Sequence, residues 1–389
     1  MDFRPTDEQR ELQEAARKFA RAELPELARD MEEKDYPVPR AMVRKYGEMG
    51  FLGVNLPTEY GGLGLGHLEA LLVLEEFAQI SNAVAFPVFE ALVGPVRTIE
   101  RFGSPEMKAR ILPEVIAGEK VVAVSMSEPD AGTALTDLRT RAIEDGDHYV
   151  VNGYKRWTSG GGHSDYYVTY CRYNDEPGAK GIGAILLDRD ASGMQFGKLE
   201  QLMGFRGIET ADYAIEDVRV PKANVIVGAG GFGKLMSAFG LERCGNATQS
   251  LGVAAAALEQ ATQYVQERHA FGKPIVEFQA VQIKLAEMAM KVEAARLLIH
   301  RAAANAAHQP DGLPTVYESS VAKCYANEIV REVTSMGVQV MGGYGYHKDY
   351  GMEQRLRDGF AWGIAGGTTD VQKTNIAAAM IGRRFDQRR

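Results

Sequence analysis

Ser125-Met126-Ser127-Glu128-Pro129-Asp130-Ala131-Gly132-Thr133 opens the stretch around which the chain is organised, and Lys155-Arg156-Trp157-Thr158-Ser159-Gly160-Gly161-Gly162 closes it. Val121 to Met126 alternates small and branched apolar residues, the pattern of a strand. Pro129 stops it and Gly132 permits a tight return. The N–H groups and hydroxyls around Ser127 are then free to bind something other than a neighbouring strand. A hairpin follows: Arg139 to Ile143, a turn at Asp145-Gly146, then His148 to Val151 and Tyr154 to Trp157. It delivers an indole and the hydroxyls of Thr158 and Ser159 beside a glycine run. On pattern alone this is an ordinary antiparallel sheet with a buried Trp, or a shelf for a planar polar ring.

Working outward, the period of apolar residues changes at both flanks. On the N-terminal side, Thr6-Asp7-Glu8-Gln9 is a capping box, and Leu12, Ala16, Phe19 and Ala20 give one helix face. Pro37 and Pro39 precede a second helix ending at Gly50, with further helices expected at His67 to Gln79 and Pro87 to Phe102, and one capped by Ser104-Pro105. From Lys120 to Val227 the period is 2, with strands expected at Tyr166 to Cys171, Gly183 to Leu187, Met194 to Leu199 and Ala211 to Ile215, and a turn at Val218 to Pro221. Beyond it, Phe278, Val281, Leu285, Met288, Val292, Ala295 and Ile299 recur at helical spacing, and Pro314 to Val340 forms another helix ended by Gly342-Gly343. Gly228-Ala229-Gly230-Gly231-Phe232-Gly233 matches a dinucleotide fingerprint, but no second strand bearing an acid follows; the chain continues as Ala-rich helix to Arg268. The motif is a loop leading into the C-terminal helices.

Composition excludes several classes. The chain has 389 residues, with apolar and charged fractions of a globular protein and a formal net charge of -8, which argues against nucleic acid as a partner. No apolar run is long enough to span a bilayer. Met1-Asp2-Phe3-Arg4 leads straight into a helix start without a leader pattern. Three scattered cysteines, Cys171, Cys244 and Cys324, suggest free thiols in a reducing cytoplasm. The seven histidines show no ligand spacing, so no metal is expected.

The Ser125–Gly162 stretch resembles the flavin-binding middle domain of the acyl-CoA dehydrogenase family, whose usual strand is Thr-Glu-Pro-Gly-Ala-Gly-Ser-Asp followed by Trp-x-Thr or Trp-x-Ser. Asp130, Thr133 and Ala134 depart from it, and Thr133 keeps a hydroxyl for the CoA chain. Arg268-His269-Ala270-Phe271-Gly272 with Gln279, Gln339 to Gly345, and Arg357-Asp358 followed by Gly366-Gly367-Thr368-Thr369 resemble three further family segments. The resemblance implies an α+β fold of three domains: N-terminal helical over 1–118, middle antiparallel β over 119–228, and a C-terminal four-helix bundle over 229–389. It implies FAD contacts from Met126, Ser127, Trp157, Ser159 and Thr368, with Arg268, Phe271, Gln279, Gln339 and Gly343 placed around the cofactor and in part reaching a neighbour's, in a homotetramer. An Arg fork suits a diphosphate.

The family's reaction is α,β-dehydrogenation of an acyl-CoA thioester: a carboxylate takes the α-proton while the β-hydrogen leaves as hydride to flavin N5. The carbonyl must be polarised where enolate charge develops. Counting from Arg357-Asp358, the family's usual base falls on Gly366, which keeps only a backbone N–H for the thioester oxygen. Members resembling isovaleryl-CoA dehydrogenase carry the base in a Leu-Glu-Arg context, here Leu241-Glu242-Arg243. Glu242 is therefore the expected base; otherwise it is a surface acid paired with Arg243 or Lys234. Glu90 is the alternative acid, in a helix that lines the family's acyl pocket, and Thr133, Arg243 and Glu90 are the expected substrate contacts. The absence of a side chain at Gly366 should leave space beside the thioester, and Phe86, Phe89 and Leu92 should shorten the pocket, favouring a compact branched, cyclic or aryl acyl group. An electron-transfer flavoprotein is the expected acceptor. The alternatives are a lyase resembling a sulfinopropionyl-CoA desulfinase, and an inactive flavoprotein acting as an assembly partner.

Overall fold

The computed structural model describes residues 4–383 and Phe385; Met1 to Phe3, which carried the expectation about a leader, lie outside it. Helices α1 (Asp7–Glu23), α2 (Pro25–Lys34), α3 (Arg40–Glu48), α4 (His67–Ile80), α5 (Asn82–Leu92), α6 (Pro95–Phe102) and α7 (Pro105–Ile116) form the first region. The Thr6 capping box is closed: the Thr6 hydroxyl accepts from Gln9 N at 3.2 Å and the Gln9 side chain accepts from Thr6 N at 2.9 Å. The helix expected from Pro87 to Phe102 is two. Ser81 caps α5 by accepting from Val84 N, so α5 starts before Pro87, and Gly94-Pro95 ends it and starts α6.

The second region is a sheet of β1 (Val122–Ser125), β2 (Arg141–Asp145), β3 (His148–Ser159), β4 (Tyr166–Tyr173), β5 (Ile182–Asp188), β6 (Met194–Leu199), β7 (Thr210–Pro221) and β8 (Val225–Val227). Its order is β6-β7-β3-β2-β4-β5-β8, with β1 beside β4. The sheet is mixed, which corrects the expected antiparallel domain: β1 and β2 both pair with β4 in parallel. β1, reached from α7, has no hairpin to force an antiparallel neighbour, and β2, whose hairpin partner β3 takes its other edge, meets β4 through Arg141 and Ala142. Val218 to Pro221 is not a turn but the end of β7, paired with His148 to Val151. Side chains alternate on β4: Val168 and Tyr170 face the core shared with the helices, while Tyr167, Cys171 and Tyr173 pack in a second core on the other face.

The third region begins with α8 (Phe232–Glu267), then a two-stranded hairpin, β9 (His269–Ala270) and β10 (Lys273–Pro274), and α9 (Gln279–Ala306) and α10 (Val316–Met341). Short helices α11 (Gly343–Tyr346) and α12 (Met352–Asp358) lead to α13 (Thr369–Ile381). Helices α8, α9, α10 and α13 make the bundle, and α8 also packs on α4 and α5. Glycines permit that approach: a Cβ at Gly245 would lie 2.3 Å from Val93 Cγ2 and 3.0 Å from Phe89 Cε2, and one at Gly252 would lie 2.5 Å from Ala78 Cβ.

Candidate active site

Glu242 lies on the buried side of α8 with 9% of its surface exposed, which removes the surface-acid alternative. Its carboxylate makes no hydrogen bond among the described residues. Burial pushes its pKa up to about 7, and the charges of Lys323 and Arg243 only partly oppose this. A carboxyl poised near neutrality and free of partners can accept a proton from a bound molecule.

The partner across the site is Lys323 of α10, fully buried, whose Nζ donates to Trp362 O at 2.8 Å and Ala365 O at 2.7 Å. Burial lowers its pKa to about 7, against the pull of Glu242. Lys323 thus ties the loop that carries Gly366 to α10, which packs against the helix bearing Glu242. Gly366 has φ +63° and its N–H has no partner among the described residues, so it can donate to a ligand's oxygen. The space expected beside it is not open. A Cβ here would lie 2.5 Å from Asn246 Nδ2 and 3.6 Å from Lys323 Nζ. Asn246, one helical turn beyond Glu242, fills the volume that a side chain at 366 would take.

Aromatic rings close the neighbouring wall. Phe86 and Phe89 stack at 5.7 Å, Phe89 meets Trp362 at 5.0 Å, and Trp362 meets Phe205 at 5.1 Å. Leu92 is fully buried. Glu90, on the same helix, lines a cleft with Phe86, Val121, His163, Ser164 and Glu209, between α5 and the sheet. Burial holds its carboxyl well above the ordinary range, and the Arg40 charge only partly opposes this. Arg206, a candidate cation for a substrate carboxylate, is engaged by the backbone oxygens of Glu32 and Glu33. Arg243 remains, buried with Nε and Nη1 unpartnered.

The shelf is built on the end of β1. Met126 and Ser127 are half-buried, Met126 O accepts from Lys155 Nζ at 3.1 Å, and Ser127 O accepts from Arg156 N at 2.9 Å. Ser125 and Thr158 hydroxyls meet at 3.3 Å, tying β1 to β3. Trp157 is not buried: it sits at φ 61° with 51% exposure, and the Arg156 guanidinium lies 4.3 Å over its ring. An exposed indole held in a strained backbone beside half-buried Ser159 fits a flat polar ring such as an isoalloxazine. Thr133 is exposed on the following loop, and Thr368 caps α13 by accepting from Val371 N.

The residues expected at a subunit contact are all on the surface. Phe271 is 96% exposed at φ 53°, the Arg268 guanidinium lies 5.7 Å over the Tyr344 ring, and Gln279, Gln339 and Gly343 are exposed. No group of three or more His, Cys, Asp or Glu side chains could hold a metal among the described residues. No described helix is long and apolar enough to cross a membrane. Cys171, Cys244 and Cys324 are free and buried.

Sequence reasoning missed Lys323, Asn246, Trp362 and Tyr170. Tyr170, on β4, is fully buried with an unpartnered hydroxyl and feels the charge of Glu242. A signal existed for two of them: Asn246 repeats Glu242 at i+4 in an Ala- and Gly-rich helix, and Lys323 repeats Ser319 and Asn327 on an otherwise small, apolar face.

Three family models match the chain: the acyl-CoA dehydrogenase N-terminal domain over residues 6–119, its middle domain over 123–218 and its C-terminal domain over 229–381. The chain is 37% identical over 386 residues to acryloyl-CoA reductase (NADH) of Anaerotignum propionicum, covering 98% of this chain and 97% of that protein. It is 35% identical over 393 residues to 3-sulfinopropanoyl-CoA desulfinase of Variovorax paradoxus, covering 99% and 97%. The butyryl-CoA dehydrogenase structure from Megasphaera elsdenii superposes with a TM-score of 0.93 at 32% identity, covering 98% of this chain and 100% of that one.

Proposed function

The chain belongs to the acyl-CoA dehydrogenase family, flavoprotein oxidoreductases that act on CH–CH bonds with FAD as cofactor, and on that premise we propose that it interconverts a compact acyl-CoA and its 2-enoyl-CoA with Glu242 as the α-proton base. The observation that carries this is the Glu242 carboxyl itself: buried, without a hydrogen bond, raised to about 7, and on the helix that packs against Gly366. When bound, FAD supplies a hydride acceptor for the β-hydrogen. Glu242 takes the α-proton. The Gly366 N–H steadies the thioester oxygen as negative charge gathers there, and the Lys323 ammonium holds that loop in place through Trp362 O and Ala365 O. Burial around Glu242 excludes water, which keeps its carboxylate poorly solvated and basic. In the reductive direction the same carboxyl, protonated, returns the proton to the α-carbon, so the base does not choose the direction.

The rings of Phe86, Phe89 and Trp362 support a short branched, cyclic or aryl acyl group rather than a long linear one. Met126, Ser127, Trp157, Ser159 and Thr368 are assigned to the cofactor within one chain. Exposed Arg268, Phe271, Gln279, Gln339 and Gly343 are assigned to cofactor contacts around a neighbour's site, in a homotetramer. Thr133 and Arg243 are assigned to the acyl-CoA, an electron-transfer flavoprotein to electron exchange, and the cytoplasm to the location. The test is anaerobic stopped-flow bleaching of the flavin by isovaleryl-, cyclohexanecarboxyl- and 3-phenylpropionyl-CoA against octanoyl- and palmitoyl-CoA. Faster bleaching by the compact set is expected; a clear preference for palmitoyl-CoA would sink the pocket assignment. Sulfite release from a sulfinyl thioester would instead favour a lyase, which the similarity to the desulfinase makes worth measuring.

A further inference from the structure

Glu242, Asn246 and Gln249 follow one another at i, i+4 and i+7 on α8, so they share one side of the helix over about two turns. Asn246 and Gln249 are completely buried, and both the nitrogen and the oxygen of each amide lack a partner. A buried polar group left unpaired loses its hydration without replacement and destabilises the fold.

Their surroundings repeat the pattern. Helix α5 lies along α8 with Phe89 at Gly245, while the end of α4, at Ala78 and Gln79, meets Gly252. The start of α5 is therefore at the Gln249 end of α8, and there the Asn82 amide is 1% exposed with both of its atoms unpartnered. Trp362, which meets Phe89 and Phe205, also leaves its buried indole N–H unpartnered. Its backbone oxygen accepts from Asn327 Nδ2, and Asn327 Oδ1 accepts from Ser250, the residue next to Gln249. The unpaired groups thus lie along the contact between α5 and α8, beginning one turn beyond Glu242.

These groups are neutral, and they include both donors and acceptors. A carboxylate in that position would need a cation. Lys323 already donates to Trp362 O and Ala365 O, and Arg243 is beside Glu242, six residues before Gln249 and so about 9 Å back along the helix. A hydroxyl donates and accepts at one atom and matches an amide on both sides.

We propose that the acyl chain taken by this pocket carries an uncharged hydroxyl, aliphatic or phenolic, beyond its β-carbon, held by Gln249 and Asn246. This deepens the reading above and rests on Glu242 marking the acyl pocket, so its test is made on binding rather than on turnover. The FAD-loaded Glu242→Gln variant is titrated calorimetrically with two matched pairs: 3-phenylpropionyl- against 3-(4-hydroxyphenyl)propionyl-CoA, and valeryl- against 5-hydroxyvaleryl-CoA. In at least one pair the hydroxylated ligand is expected to bind about tenfold more tightly, a difference of about 1.4 kcal/mol. Adding Gln249→Leu should abolish or invert the preference by tightening the plain ligand. Equal or weaker binding of both hydroxylated ligands overturns the proposal, and so does a preference that survives both Gln249→Leu and Asn246→Leu. If no acyl-CoA bleaches the flavin of the unsubstituted protein, the dehydrogenation reading fails while a binding preference would still stand.

Discussion

Two buried carboxylates, Glu128 in the sheet region and Glu242 in the bundle, each face a buried lysine and are treated in opposite ways. Glu128 accepts from Lys155 Nζ at 2.9 Å, Arg139 N at 2.5 Å and Thr140 N at 2.9 Å. Burial would raise its pKa, but the Lys155 charge and those N–H groups outweigh it and hold the carboxyl below the ordinary range. Glu242 has a lysine within electrostatic reach but no hydrogen bond, and burial wins. The lysines differ in the same sense. Lys155 donates to its carboxylate and to Met126 O, whereas Lys323 donates to two loop carbonyls. Proximity of opposite charges does not decide what a buried acid is for. The hydrogen bonds to its ionised form come first: a saturated carboxylate is scaffold, and an unsaturated one is available for a proton if a ligand reaches it.

The largest expected effect is at Glu242. Glu242→Gln should keep FAD and lower the rate of flavin bleaching by acyl-CoA by about 10²–10⁴-fold or more. In the unsubstituted protein the same rate should fall about tenfold per pH unit below about 7, because the base must be ionised and its pKa is raised to that value. Lys323, Arg243 and Tyr170 are the other ionisable groups that feel this carboxyl, so Lys323→Met should move that midpoint upward. Normal bleaching in Glu242→Gln would break the comparison outright.

Glu128→Gln should show the reverse profile. Removing one partner of a buried, hydrogen-bonded ion pair costs about 3–5 kcal/mol, read as a lowered denaturant midpoint. Flavin binding should weaken, since Lys155 also steadies Met126 O at the shelf. The bleaching rate per bound flavin should fall less than about tenfold. A rate as low as that of Glu242→Gln would mean that the two carboxylates are not distinguished by their hydrogen bonds.

Of the two carboxylates only Glu242 was singled out in the sequence, and what stayed illegible has physical causes. The local elements of the expected shelf could be read because they lie in consecutive residues: Ser125 to Thr133 and Lys155 to Gly162 carry strand end, indole and glycines. Glu242 could be placed from its neighbours in the chain. The break in Pro87 to Phe102 was hidden because the Ser81 cap, which sets the helix start, lies outside that window. The parallel pairing of β1 and β2 with β4 was hidden because period 2 is the same in either direction. The volume at Gly366 was misjudged because Asn246, 120 residues earlier in the chain, fills it. Side chains that meet only through tertiary packing leave no pattern in sequence spacing.

The smallest expected effect is at Glu90, and it separates burial from catalysis. Glu90 resembles Glu242 in being buried without a hydrogen bond, yet it lies in the cleft between α5 and the sheet, and Glu242 is not among the charges that act on it. Arg40 is the one charge that pulls its pKa down, and Arg40 is already engaged by Asp165 and by His163 O. A carboxyl held well above the ordinary range stays neutral to higher pH than an ordinary one, and Gln is close to its neutral form in shape and charge. Bleaching in Glu90→Gln should therefore stay within about threefold of the unsubstituted protein, a difference of about 0.7 kcal/mol in barrier. Stability gives the sharper sign. A raised folded-state pKa contributes stability that is fully present below the unfolded value and is lost as the pH rises through the folded one. Glu90→Gln should thus match the unsubstituted protein in melting temperature at acid pH and exceed it increasingly at alkaline pH. For Glu128, with its pKa lowered, the contribution runs the other way: it is present above the unfolded value and lost as the pH falls. A Glu90→Gln rate as low as that expected for Glu242→Gln would transfer the base to α5 and leave Glu242 as a buried polar defect.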